Sequence, residues 1–112
     1  MIVIISSQGG TLESKPNPHF GRSPAFISYD TDKDTWNAFD NPAVNEPGGA
    51  GVSASQFAVD HHASAVISGR FGPNAFRALN SACIQMFTFD PSCDSIAETI
   101  QAFKNNLLAP FE

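Results

Sequence analysis

Three short runs in this sequence carry the residue types that handle anions and metals. The first is His19-Phe20-Gly21-Arg22. A neutral imidazole can ligate a metal, and a guanidinium presents a rigid fork of donors to an anion. Gly21 lets the backbone turn tightly between them. The competing reading is an exposed His and Arg on a flexible loop. The second run is Gly48-Gly49-Ala50-Gly51, placed where a helix begins. Glycines there leave backbone N–H groups open, and the helix dipole adds about half a positive charge. The Lys-Ser/Thr pair of a P-loop is missing, and close helix packing would also explain the glycines. The third run, Gly69-Arg70-Phe71-Gly72-Pro73-Asn74, joins a strand to a helix and sets Arg70 beside a second helix N-terminus. Pro73 suits a first helical turn because its missing N–H would be unpaired there, so ordinary turn chemistry is the alternative. Two helix starts and two arginines at one sheet edge form a stronger pattern than any one run.

Other groups offer less. His61 and His62 are adjacent, so on a helix they point about 100° apart and share a metal poorly; they read as a helix end, where His favours the dipole. Cys83 and Cys93 lack the C-x₂-C spacing of zinc pairs, and a conventional iron–sulfur cluster takes four thiolates. They are expected to be one buried and one surface thiol. Asp30, Asp60 and Asp90 are too scattered to pair for acid–base or two-metal chemistry.

These runs must be positioned by strands and helices, and the pattern is legible. Ile2-Val3-Ile4-Ile5 reads as a strand buried on both faces. A long loop follows from Gly9 to Pro24, with three prolines and three glycines; long loops in compact domains tend to be functional. Strands over 25–29 and 35–39 form a hairpin about the polar turn Asp30–Asp34. After a second loop, Asn41–Gly49, a helix is expected over 50–61 and a buried strand over 65–68. A helix entered at Pro73 and passing through Phe76 and Leu79 leads to a last strand over 84–89. An amphipathic helix over 95–108 closes the chain, with Ile96, Ile100, Phe103 and Leu107 on one stripe. This order predicts an α/β fold in a single domain over 1–112, with a mixed five-stranded sheet and three helices. Three parallel strands are joined by helical crossovers and the hairpin lies on one edge. In such sheets ligands bind at the carboxyl ends of the parallel strands, where the loops after Ile5, Ser68 and Phe89 are expected to gather.

Composition narrows the function further. With 42% hydrophobic residues the 112-residue chain can fill one core. Six basic residues stand against eleven acidic ones, for a net charge of −5, which argues against nucleic-acid binding. Ten of the aromatic residues are Phe, which fill a core without needing a polar partner. Two cysteines make no disulfide framework, and the apolar start is too short for a signal peptide or a membrane span. A cytoplasmic protein with no membrane partner is the expectation.

In order and spacing, His19–Pro24, Gly48–Gly51 and Ser68-Gly69-Arg70-Phe71-Gly72-Pro73-Asn74-Ala75-Phe76 resemble the dinitrogenase iron–molybdenum cofactor-binding family, over nearly the whole chain. The resemblance implies a three-layer domain like ribonuclease H. It also implies a non-catalytic carrier for iron–molybdenum cofactor or its precursors. In the orange-protein branch of sulfate reducers the cargo is instead a molybdenum–copper sulfide cluster, held non-covalently. The implied cofactor-binding residues are His19, Phe20, Gly21 and Arg22, then Gly48, Gly49, Ala50 and Gly51, then Arg70, Gly72 and Asn74. His19 would be the metal ligand, with the arginines and glycine-loop amides as an electrostatic cradle. Cofactor-assembly or complex proteins are the implied partners. Two other functions are open to such a chain: a cofactor-free regulatory or interaction module, and a ribonuclease H-like metal-dependent hydrolase. The hydrolase needs carboxylates gathered at one site, which the strands hardly supply.

Overall fold

A computed structural model describes residues 1–111; Glu112, the last residue of the expected domain, lies outside them. Apolar β-branched runs form the centre of the sheet. Strand β1 (Ile2–Ser7) pairs in parallel with β4 (Ala63–Ser68), and β4 in parallel with β5 (Gln85–Thr88). The hairpin of β2 (Ala25–Asp30) and β3 (Thr35–Asp40) adds antiparallel to β1, from Ile2↔Asp30 to Ser7↔Ala25. Three parallel strands with the hairpin on one edge are therefore present as expected.

The strand count differs. A sixth strand, β6 (Ala109–Pro110), pairs antiparallel with β5, so the order is β3-β2-β1-β4-β5-β6. Two residues are too few to show strand alternation, and Pro110 is tolerated because β6 is an edge with no further neighbour needing its N–H. The segment just before β6 was expected to be helix through Leu108. Instead α3 (Ile96–Lys104) stops earlier, because Asn106 takes a left-handed conformation at φ 58. The Leu107 N–H then reaches back to the Ala102 carbonyl at 2.9 Å, closing the helix end as a Schellman motif.

Helices α1 (Ala50–Asp60) and α2 (Pro73–Ser81) cover one face of the sheet. Beneath them Ile4, Phe26, Val66 and Met86 meet Ala54, Ala58, Ala75 and Leu79. On the other face Val3, Ile5, Ile27, Tyr29 and Ile67 meet Ile96, Ile100 and Leu108 of the α3 region. Alternation along β1 thus feeds two cores, giving three layers. Burying each Ile or Val contributes roughly 1.5–3 kcal/mol. At the hairpin end, the Tyr29 hydroxyl donates to the Asp34 carboxylate, and that bond together with burial holds the phenol above its usual pKa. His61 caps α1, at the helix end where it was expected.

The cysteines differ from expectation. Neither is buried: Cys83 is exposed and Cys93 half-buried. Cys83 occupies the left-handed position after α2, at φ 60, where the Ile84 N–H bonds back to the Leu79 carbonyl at 3.0 Å. That turn keeps the thiol outside the core.

Candidate functional site

The loop after β1 crosses the carboxyl edge of the sheet and is stitched down by small buried hydroxyls. Ser6 Oγ donates to the carbonyls of Asn17 and Ile67, at 2.9 and 3.2 Å. Ser23 Oγ accepts from the Ser7 N–H at 3.0 Å and donates to the Ala25 carbonyl at 2.7 Å. The loop then pairs with the end of β4: the Arg70 N–H donates to the Pro18 carbonyl at 2.7 Å, and the Phe20 N–H to the Arg70 carbonyl at 3.3 Å. His19 and Arg70 are bridge partners in a parallel register, which sets their side chains on the same side. Both side chains are exposed, as a flexible loop would also leave them, but their backbones are pinned.

Close packing explains the glycines. A Cβ on Gly21 would lie 2.9 Å from the Gly51 nitrogen and 3.2 Å from the Ala50 carbonyl carbon, so the first loop lies directly on the start of α1. Gly49 is the N-cap of α1 at φ 74, a conformation that costs other residues about 1–2 kcal/mol. Gly48 and Gly72 face open space and need no such explanation.

Neither α1 nor α2 has a side-chain cap or an acidic residue in its own first turn. Helix α3 is the contrast: Ser95 Oγ accepts from the Glu98 N–H at 3.1 Å, with the acidic Glu98 in the first turn. The helices whose starts meet at the carboxyl edge of β1 and β4 thus lack side-chain caps of their own, while the helix across the sheet has its end closed.

Between those two helix starts lies a cavity of about 500 Å³. His19, Phe20, Gly21 and Arg22 line it from the first loop, Gly49, Ala50 and Gly51 from α1, and Arg70 and Gly72 from the β4–α2 turn. All three anion-handling runs therefore meet at one place, whereas the loop after Phe89, also expected at this edge, contributes no lining residue. Two expected residues do not line it. Gly48 precedes the cap and points to open space, and the Asn74 side chain accepts from Arg77 Nη2 at 2.8 Å. Phe71 and Pro73, members of the third run that were not among the implied cofactor-binding residues, line the cavity too. Phe20 is 1% exposed, and its ring packs against Phe26 and Phe71 with centroids at 5.5 and 5.2 Å. It ties the cavity floor to the core.

Asn41 is the main residue the sequence did not reveal. It is 3% exposed, and its Nδ2 donates to the carbonyls of Gly21 and Ser23 at 3.1 and 2.9 Å. Its Oδ1 accepts from the Ala43 N–H at 2.9 Å, so one amide locks the first loop to the second. Arg22 reinforces that lock: its Nη1 donates to the Val44 carbonyl at 3.2 Å and also to the Glu46 carbonyl.

The electrostatics favour an anion. Among the described residues the ion pairs are Met1–Asp32 and Lys104–Asp34, so neither cavity arginine has a carboxylate partner. A second cavity, of about 570 Å³, lies near Met1, Phe103 and Lys104, and its cations are the ones already paired. Among the described residues no three His, Cys, Asp or Glu side chains come together as a metal-holding group, and no helix is long and apolar enough to cross a membrane.

The dinitrogenase iron-molybdenum cofactor family model matches residues 1–106. The chain belongs to this family. No curated protein sequence matches it. The apo form of the orange protein from Desulfovibrio gigas superposes with a TM-score of 0.90 at 25% identity, covering 99% of this chain and 96% of that one. A candidate NifB protein from Thermotoga superposes with a TM-score of 0.84 at 28% identity, covering 97% and 91%. Family membership makes a cofactor-binding or carrier role the coarse assignment for the chain.

Proposed function

We propose that this family member is a non-catalytic carrier that holds an anionic metal–sulfide cluster non-covalently in the cavity between the first loop, α1 and α2. The cargo is iron–molybdenum cofactor, a precursor of it, or a molybdenum–copper sulfide cluster, passed to or from cofactor-assembly partners. One observation carries the reading: two uncapped helix starts converge with Arg70 and His19 on a single cavity. Such a donor set fits a polyanion whose sulfides accept hydrogen bonds from N–H groups and guanidinium. His19 supplies the imidazole nitrogen available to a metal at the rim. Cys83 lies at the far end of α2 and takes no part.

The test is reconstitution of apo protein with tetrathiomolybdate and Cu(I), and separately with iron–molybdenum cofactor, followed by gel filtration. We expect visible absorption to co-elute with the protein in at least one arm, and to persist in the double variant Cys83→Ser/Cys93→Ser. A colourless protein in both arms would favour a cofactor-free interaction module. Bands lost only in the double variant would mean thiolate ligation, and the cavity would not be the site.

A further inference from the structure

The segment Val44–Glu46 lies against two cavity-lining residues, Arg22 and Gly49, in ways that the anion-binding reading does not use. Its carbonyls hold the Arg22 guanidinium. Its one acidic side chain returns towards α1: Glu46 Oε2 accepts from Ser53 Oγ at 3.1 Å, within the first turns of the helix. The same carboxylate oxygen lies 4.0 Å from the point where a Cβ would stand on Gly49, the helix cap and a cavity-lining residue. Helix α1 has no acidic residue in its own first turn, so this carboxylate, brought in from the preceding loop, meets its positive end. Glu46 is half-buried, which limits how far water screens it.

Resting on the anion-binding reading, we infer that Glu46 is a built-in competitor of the cargo: its carboxylate stands in for the anion beside α1 when the cavity is empty, and cargo binding must displace it. A polyanion at the helix start would sit a few ångströms from a like charge, at a place where the protein shields part of the solvent. The loop can answer by swinging Glu46 off Ser53. Because Arg22 is fastened to the backbone of the same segment, that movement also releases guanidinium donors towards the cavity. Glu46 and Arg22 thus form one exchange: the empty state pairs Glu46 with Ser53 beside the helix start and Arg22 with carbonyls, and the loaded state gives the helix start and Arg22 to the cargo. Fast release of cargo to a partner follows, since the displaced carboxylate is tethered beside the site it vacated.

The experiment titrates tetrathiomolybdate into the full chain at low ionic strength, with far-UV circular dichroism and the thermal midpoint recorded for every variant. Glu46→Gln keeps shape and removes the charge, and is expected to tighten binding about three- to tenfold. The charge-matched control Glu13→Gln, in the exposed Thr11–Ser14 turn, is expected to leave it unchanged. Ser53→Ala frees the carboxylate without removing it and should tighten binding less than Glu46→Gln does. The double variant should bind no more tightly than Glu46→Gln alone, because both changes act on one contact. Equal tightening by Glu13→Gln, or no tightening by Glu46→Gln in a wild type whose binding Arg70→Ala weakens, overturns the competitor while leaving the site standing. No binding by wild type or by any variant overturns the anion site, and the competitor with it.

Discussion

Arg22 and Arg70 carry the same charge at the same cavity but differ in what they already hold. Arg22 spends Nη1 on two carbonyls of the second loop, whereas Arg70 is placed by its backbone alone, through Pro18 and Phe20. The two substitutions should therefore separate. Arg70→Ala removes charge-assisted donors worth about 1.5–3 kcal/mol, weakening tetrathiomolybdate binding about ten- to a hundredfold with little change in thermal midpoint. Arg22→Ala should weaken binding less and also lower stability by about 1 kcal/mol, because the clasp on Val44 and Glu46 is lost. Calorimetric titration and thermal unfolding of the two variants check this. Lys33→Ala, in the turn at the other end of the sheet, is the charge control. Lys104 is unsuitable, since it stands 4.0 Å from Asp34 and over the Tyr29 ring. If Lys33→Ala weakens binding as much as Arg70→Ala, only net charge matters and the cavity is not the site.

At the scale of elements, the site depends on how closely the first loop lies on α1. Gly21→Ala would force a Cβ to within 2.9 Å of the Gly51 nitrogen, a backbone atom that cannot rotate away. It should cost about 1–3 kcal/mol of stability and impair ligand binding, as overpacking does. Gly72→Ala, with open space at its Cβ and an ordinary φ of −68, should cost less stability than Gly21→Ala does. Thermal midpoints of the pair test the contact, and equal behaviour would mean that the loop is free to move. The sequence showed the strands and helices well because their apolar periodicity follows from the two cores: Val3 and Ile5 face α3 while Ile4 faces α1 and α2. It also brought three runs to the right edge, since the carboxyl ends of parallel strands are fixed by topology. What it did not show were features made by contacts distant in sequence. Asn41 is one polar residue in a loop until its amide is seen spanning Gly21 and Ser23. Strand β6 is two residues that exist only because β5 has a free edge, and its Pro110 argues against a strand on local grounds. Asn74 resembles a site residue by position, but its side chain is taken by Arg77, a partner one turn along the same helix.

For the whole molecule, the question is whether cargo holds the fold together or the fold exists first and then receives cargo. The cavity floor belongs to an aromatic series running Phe26, Phe20, Phe71 and Phe111, with successive centroids at 5.5, 5.2 and 5.0 Å. That series is continuous with the core under α1 and α2, and every buried side-chain N or O atom among the described residues has a hydrogen-bond partner. None of this packing needs a metal, unlike domains whose folding energy is metal-binding energy. The apo chain should therefore unfold in one cooperative transition whose midpoint is the same with and without a strong chelator. Loading should then add stability by mass action, about 2.7 kcal/mol when free cargo is a hundred times its dissociation constant. That increment should shrink in Arg70→Ala in step with its lost affinity, while the apo midpoint of that variant stays at the wild-type value. Thermal melts of wild type and Arg70→Ala, each apo, chelated and titrated with tetrathiomolybdate, distinguish the cases. A chelator-induced fall in the apo midpoint would mean that a structural metal supports this fold, and the carrier would then be a holoprotein from the start.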